Sequence, residues 1–198
     1  MKPRFIPFDQ KLLVFIGPSG VGKSTLVQKL AESRLVQLTP TWTTRPPRVN
    51  EENLFEHVFC SQQMFTAKKT AGEFVGYSKP FGLPYEYGLP RVSVTNSYIV
   101  PAVMLRSFLV AELKQSYKNC IIYAFEIDKK TVESRLQQRH MHQANQPIGD
   151  RLKLYNQEIS QGRRMADRIF ILRSEQSYNE VIEALHNDFD FDKDKRIL

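Results

Sequence analysis

Eight residues, Gly17-Pro-Ser-Gly-Val-Gly-Lys-Ser24, hold the spacing G-x-x-x-x-G-K-[ST]. The apolar run Leu12-Leu-Val-Phe-Ile16 precedes them and Thr25-Leu-Val-Gln-Lys-Leu-Ala31 follows, so the loop joins a buried strand to a helix. Glycines let the backbone fold around a phosphate with no Cβ in the way. Successive N–H groups then converge, and the new helix adds its positive end. In that geometry Lys23 reaches the β- and γ-phosphates of a nucleoside triphosphate, and the Ser24 hydroxyl takes Mg²⁺. Gly17, Ser19, Gly20, Val21, Gly22, Lys23, Ser24 and Thr25 are the expected contacts to that triphosphate. An ordinary glycine turn is the competing reading, and the two correct flanks decide against it.

A second phosphate site is indicated by Thr41-Trp-Thr-Thr-Arg-Pro-Pro-Arg48. Pro40, Pro46 and Pro47 exclude a helix, leaving an ordered loop with hydroxyls and two guanidinium groups. Arg45 and Arg48 make a clamp for a phosphate, because guanidinium binds its oxygens in pairs. Without the phosphate loop upstream, a solvated basic turn would be the better reading. Farther on, Pro80-Phe-Gly-Leu-Pro-Tyr-Glu-Tyr-Gly-Leu-Pro90 is either a packed surface loop or a wall of the acceptor site. Arg135 and Arg139 share one helix face, and Arg151, Arg163 and Arg164 fall on the next helix. His140 and His142 lack a third ligand and read as part of a solvated loop.

These residues need a framework to hold them. At 198 residues the chain is one large domain, or a core with small inserted segments, and 41% hydrophobic content allows a sizeable interior. The net charge of +7 suits an acidic ligand, yet Lys and Arg are scattered with no basic run. That argues against a nucleic-acid partner. No apolar run reaches membrane-spanning length, and prolines interrupt the N-terminal stretch where a signal peptide needs an apolar core. Cys60 and Cys120 have no metal-ligand spacing and read as buried free thiols of a reducing, cytoplasmic compartment.

The patterning predicts strands at 11–16, 35–39, 54–59, 73–78, 97–103, 120–125 and 168–172. Helices are expected at 23–33, 61–71, 105–117, 129–140 and 150–165, plus a final one whose buried stripe is Tyr178, Val181, Ile182 and Leu185. Ser61 and Asp128 are expected N-caps, and Ser177 with Glu180 has the form of a capping box. The tail from Asn187 to Leu198 is charged and expected to fray. Strands alternating with helices after a phosphate loop predict an α/β three-layer sandwich of the P-loop NTPase type, with a parallel sheet core. Residues 1–39, 98–139 and 166–198 form that core, and 40–97, with short strands in a loop-rich stretch, read as an insertion beside it.

Over nearly the whole chain the residues resemble the guanylate kinase family. The matches are the phosphate loop at 17–24, Thr-Thr-Arg-Pro-Pro-Arg at 43–48, Phe59-Cys-Ser61, Gly72-Glu-Phe74, Tyr87-Gly88, Arg135-Leu-Gln-Gln-Arg139 and Arg151-Leu152. The resemblance implies a three-part kinase that uses ATP and Mg²⁺, with 40–97 a small acceptor-binding insertion and 140–165 a helical lid that closes over the nucleotide. By position, Arg45 and Arg48 would hold the acceptor phosphate, with Thr41 and Tyr87 beside them and His57 where the family has a tyrosine. Lys23, Arg139 and Arg151 would neutralise the transferring phosphoryl group.

The chain also departs from that family. Gly76 stands where an acid that reads guanine is expected, and Tyr98-Ile-Val-Pro-Ala102 carries no acid where the family has two. Glu126 and Asp128 fall at the end of the next strand and do not replace them. The segment between Gly88 and Tyr98 is too short for the helix usual there. The leading expectation is a kinase for a small phosphorylated acceptor, GMP first, acting as a monomer or homodimer. Two alternatives remain. One is a kinase for ribose 1,5-bisphosphate, which would account for the lost acids; the other is a non-catalytic protein-binding module, against which the intact Lys23 and Ser24 stand.

Overall fold

The computed structural model describes residues 4–5, 11–47, 55–79, 84–94, 99–141 and 148–189. A five-stranded parallel sheet forms the centre, in the order β11 (Arg168–Ile171), β10 (Cys120–Glu126), β2 (Leu12–Ile16), β9 (Val100–Met104), β3 (Val36–Leu38). After β2 the chain runs through α1 (Lys23–Glu32) to the β3 edge, and later returns to the opposite side through β10 and β11. The carboxyl end of β2 is therefore where the winding changes direction, which opens a crevice between the neighbouring loops. The phosphate loop leaves β2 at that end.

Continuous apolar strands are required because both faces of this sheet are covered. Leu13 and Phe15 of β2 point to one side together with Tyr123 and Phe125 of β10. They meet Leu26, Val27 and Leu30 of α1, Val132 and Leu136 of α4 (Lys129–Met141), and Val181 and Leu185 of α6 (Glu175–Asp188). Leu12, Val14 and Ile16 point the other way with Ile122 and Ala124, against Val110 and Leu113 of α3 (Val110–Ser116). All five β2 residues have no solvent exposure. At roughly 1.5–3 kcal/mol for each large apolar side chain, their burial is a main driving force for the fold.

A second sheet of four strands is built from the segment between β3 and β9. Its order is β5 (His57–Phe59), β4 (Thr41–Thr43), β7 (Tyr87–Pro90), β6 (Phe74–Ser78). Register assigns its faces. Trp42, Gly88 and Tyr77 share the back, where α2 (Gln62–Thr70) lays Lys68 over the Trp42 ring and Lys69 over Tyr77. Gly88 has to be glycine, since a Cβ there would lie 2.8 Å from the Phe74 ring. Thr41, Thr43, His57, Phe59, Tyr87, Ser78 and Gly76 share the front. A short pairing of β1 (Arg4–Phe5) with β8 (Ser93–Val94) and the helix α5 (Ile148–Met165) complete the chain.

Several sequence expectations change. Thr41–Thr43 is strand rather than loop, because its β-branched and aromatic residues have β5 and β7 to pair with before the prolines begin. Tyr87–Pro90 is likewise strand. Pro101 lies inside β9, an inner strand. The missing N–H is tolerated because the β2–β9 ladder starts only at Leu13 opposite Ala102, so that side of Pro101 has no strand partner. The expected 105–117 helix is cut short: Leu105 N–H still donates to Phe15 O, and a single 3-10 turn at Ser107–Leu109 precedes α3. The capping box does not form. The last helix begins at Glu175, and the Ser177 hydroxyl is buried, donating to Ile171 O and accepting from Arg173 N–H. Ser61 and Asp128 do cap, accepting from the backbone N–H of Met64 and Thr131. Residues 190–198 of the expected frayed tail lie outside the described residues.

Both cysteines are free but only half-buried, at the ends of β5 and β10. Burial still pushes the Cys120 thiol up to about 11. At pH 8 its thiolate fraction, and so its alkylation by iodoacetamide, should be on the order of a hundredfold below that of an unperturbed thiol. Labelling rates followed by mass spectrometry check this, and a rate at pH 8 matching free cysteine would contradict it.

Candidate functional site

The phosphate loop is shaped by positive φ angles at Gly17 (145°), Gly20 (86°) and Gly22 (107°). At Gly17 a side chain is doubly excluded, since a Cβ would lie 2.5 Å from the Phe125 carbonyl oxygen at the end of β10. The loop is thus wedged against the strand beside its own. Gly22 caps α1 without any side-chain hydrogen bond, and no acid occupies the first turn. The N-terminal N–H groups and the helix dipole therefore present uncompensated positive character, which fits a bound phosphate. Lys23 Nζ donates to Gly17 O at 2.5 Å and Pro18 O at 3.0 Å, so the ammonium sits inside the loop. Ser24 follows it in the first turn of α1. Among the described residues no group of three His, Cys, Asp or Glu could hold a metal ion.

Beside this loop lies a groove of about 660 Å³ between α1, α4 and the turn from β11 into α6. Thr25 and Lys29 line one wall, Arg135 and Gln138 another, and Leu172 and Tyr178 a third. The mixture of apolar floor and a few polar groups is that of a nucleoside site. Arg135 Nη1 donates to Val21 O at 2.9 Å and Gly20 O at 3.3 Å, pinning α4 to the loop.

On the front of the small sheet Arg45 is 4% exposed. Its Nε donates to the Tyr87 hydroxyl at 3.2 Å, its Nη1 to Pro46 O at 2.9 Å, and its guanidinium lies 5.3 Å from the Phe59 ring centre. His57 joins the same cluster: its Nδ1 is 2.7 Å from Thr41 Oγ1, and its ring meets Tyr87 edge-on at 5.6 Å. A buried guanidinium held by a phenol and an aromatic face is oriented before any ligand arrives.

A buried ion pair connects the two regions. Arg106, between β9 and the 3-10 turn, places Nε 2.5 Å from Glu158 Oε1 on α5. Burial pushes the Glu158 carboxyl up, opposed by the positive charges of Arg106 and Lys23. Burial lowers Arg106, opposed by Glu158 and, more weakly, by Tyr87. Lys23, Glu158, Arg106, Tyr87 and Arg45 therefore form an electrostatically linked line from the phosphate loop to the front of the small sheet. Ser107 Oγ, donating to Gln161 Oε1 at 2.8 Å, fastens the same helix one turn on.

Of the residues singled out from sequence, those of the loop at 17–25 come together, as do Thr41, Arg45, His57 and Tyr87. Arg48 and the side chains of Arg139 and Arg151 lie outside the described residues, as does His142. Arg139 stands one turn beyond Arg135 on α4, and Arg151 in the first turn of α5. Glu126 is engaged elsewhere: Arg163 donates to both its oxygens, at 2.8 and 2.7 Å. Sequence reasoning missed Arg106, Glu158 and the wall formed by Leu172 and Tyr178. For the first two a charge just after a buried strand and an acid on the inner face of a helix were the available signals.

Removing one member of a buried pair strands the other charge. Glu158→Ala should cost about 3–5 kcal/mol, whereas Arg106→Met with Glu158→Leu should cost much less. Urea melts of the two variants test this; equal midpoints would show that the pair is not the source of the loss.

The described geometry agrees with what the chain is similar to. The model of the family described as guanylate kinase matches residues 9–188. A guanylate kinase of a Nostoc species is 30% identical over 158 residues, covering 77% of this chain and 78% of that protein. One from Prochlorococcus marinus is 28% identical over 156 residues, with 76% and 83% covered. The crystal structure of guanylate kinase from Anaplasma phagocytophilum shares the fold, with a TM-score of 0.65 at 19% identity over 92% of this chain and 88% of that one. Neither alternative drawn from the sequence gains support from these relatives. The chain belongs to the guanylate kinase family of nucleotide kinases.

Proposed function

We propose that this chain transfers the γ-phosphoryl group of ATP to a nucleoside monophosphate, GMP first among them. The observation that carries the reading is the line of side chains from Lys23 through Glu158, Arg106 and Tyr87 to Arg45. It sets a cation at a phosphate loop and a second, buried cation on the facing sheet, with a charged bridge between them. The family membership supports the same assignment.

In this reading residues 17–25 hold the triphosphate and the groove by Thr25 and Tyr178 takes the nucleoside. Residues 40–97 carry the acceptor, and 140–165 are the lid, bringing Arg139 and Arg151. Arg45 and Arg48 hold the acceptor phosphate, aided by Thr41, His57 and Tyr87. Mg²⁺, taken by Ser24, would offset phosphate charge when bound. The bond between the γ-phosphorus and the β,γ-bridging oxygen breaks, one from the acceptor phosphate oxygen to that phosphorus forms, and ADP leaves. The attacking oxygen is already ionised, so no general base is required. Lys23 and the arginines instead meet charge on the transferring group.

An assay coupling ADP release to Mg·ATP with GMP, dGMP, AMP, CMP, UMP and ribose 1,5-bisphosphate tests the reading. GMP and dGMP should turn over fastest; turnover with the sugar bisphosphate alone, or with none, would refute it. Lys23→Ala should lower kcat by on the order of a hundredfold or more with the fold kept. Arg45→Ala should raise the acceptor KM by about tenfold to a hundredfold. An unchanged acceptor KM would remove Arg45 from the clamp.

A further inference from the structure

Gly76 is the position where the chain lacks the acid expected from its family, and the structure shows what lies over it. The register pairs Gly76 with Leu89 and Ser78 with Tyr87, so Gly76 faces the front of the small sheet, on the side of Tyr87 and Arg45. At about 3.3 Å of rise per residue, it lies roughly 7 Å along the strand from the position opposite Tyr87. A Cβ built on Gly76 would meet Glu112 Oε2 at 3.4 Å. Glu112 belongs to the first turn of α3, the helix that packs against β6. The missing side chain thus leaves space on the strand, and a carboxylate from the facing helix occupies it.

Glu112 is exposed. Among the described residues no ion pair or hydrogen bond engages it, and Gly76 beside it faces the side of the Arg45–Tyr87 cluster. Its two oxygens only accept hydrogen bonds. They match a ligand edge presenting two N–H donors side by side. Guanine has that edge, at N1 and the 2-amino group. Adenine sets a donor beside an acceptor there, and hypoxanthine lacks the amino group. A second phosphate, as in a sugar bisphosphate, would be repelled by the same charge.

We propose that Glu112 is the residue that selects guanine, accepting hydrogen bonds from N1–H and the 2-amino group while Arg45 holds the phosphate. This rests on the acceptor cleft assigned above. It moves base recognition from the strand to α3, so the glycine at position 76 becomes part of the recognition device.

The test is calorimetric titration of GMP, IMP and AMP into the full chain and into Glu112→Gln, without ATP. The chain should bind GMP more tightly than IMP or AMP by at least about tenfold. Glu112→Gln should weaken GMP binding by on the order of tenfold to a hundredfold and bring the GMP-to-IMP ratio close to one. Unchanged GMP affinity in the variant, or equal binding of GMP and IMP by the parent chain, would overturn the proposal. Because binding is read without the phosphate donor, a chain that selects GMP through Glu112 yet fails to phosphorylate it would refute the transferase reading and leave this one standing.

Discussion

The long helix α5 is tied to the segment that follows β9 by the burial of Arg106 against Glu158. Withdrawing both charges from water is costly, and their attraction offsets that cost only while the two side chains stay together. Arg106 follows a strand of the central sheet, and Glu158 sits on α5. Their partners extend the constraint to Lys23 on one side and Tyr87 on the other. A displacement of the helix would therefore be felt at the phosphate loop and at the small sheet alike. Apolar residues would have packed these elements together equally well; the charges add a fixed potential between the phosphate loop and the small sheet.

The front of the small sheet depends on a different arrangement of charge. Arg45 is almost fully buried, and among the described residues its guanidinium meets a phenol, an aromatic ring and a backbone oxygen. Those contacts fix the direction in which its N–H groups point. On the opposite face, lysines lie over Trp42 and Tyr77, and Phe65 packs on Phe74. The small sheet is consequently apolar and structural behind, polar and receptive in front.

Much of this was legible in the sequence where local rules decide. The phosphate loop, the buried strands at 12–16 and 120–126, and the caps at Ser61 and Asp128 follow from spacing and residue type within a few positions. What the sequence hid depends on distant partners. Tyr87–Pro90 becomes a strand only because β4 and β6 flank it, and Pro101 is tolerated only because β2 starts where it does. Ser177 reads as a capping residue until the Ile171 carbonyl claims its hydroxyl. The absent acid at Gly76 was visible; the carboxylate above it, some thirty-six positions later in the chain, was not.

The small sheet's place in the chain has a kinetic consequence. Val36 of β3 pairs with Val100 of β9, so everything between them is a loop closed by that one ladder. Closing a long unstructured loop is entropically unfavourable, and pairing distant strands is slow. Once β4, β5, β6 and β7 have assembled on α2, the segment is compact and its ends are brought nearer. The small sheet thereby acts as an internal clasp for folding, and substitutions that loosen it would slow formation of the central sheet.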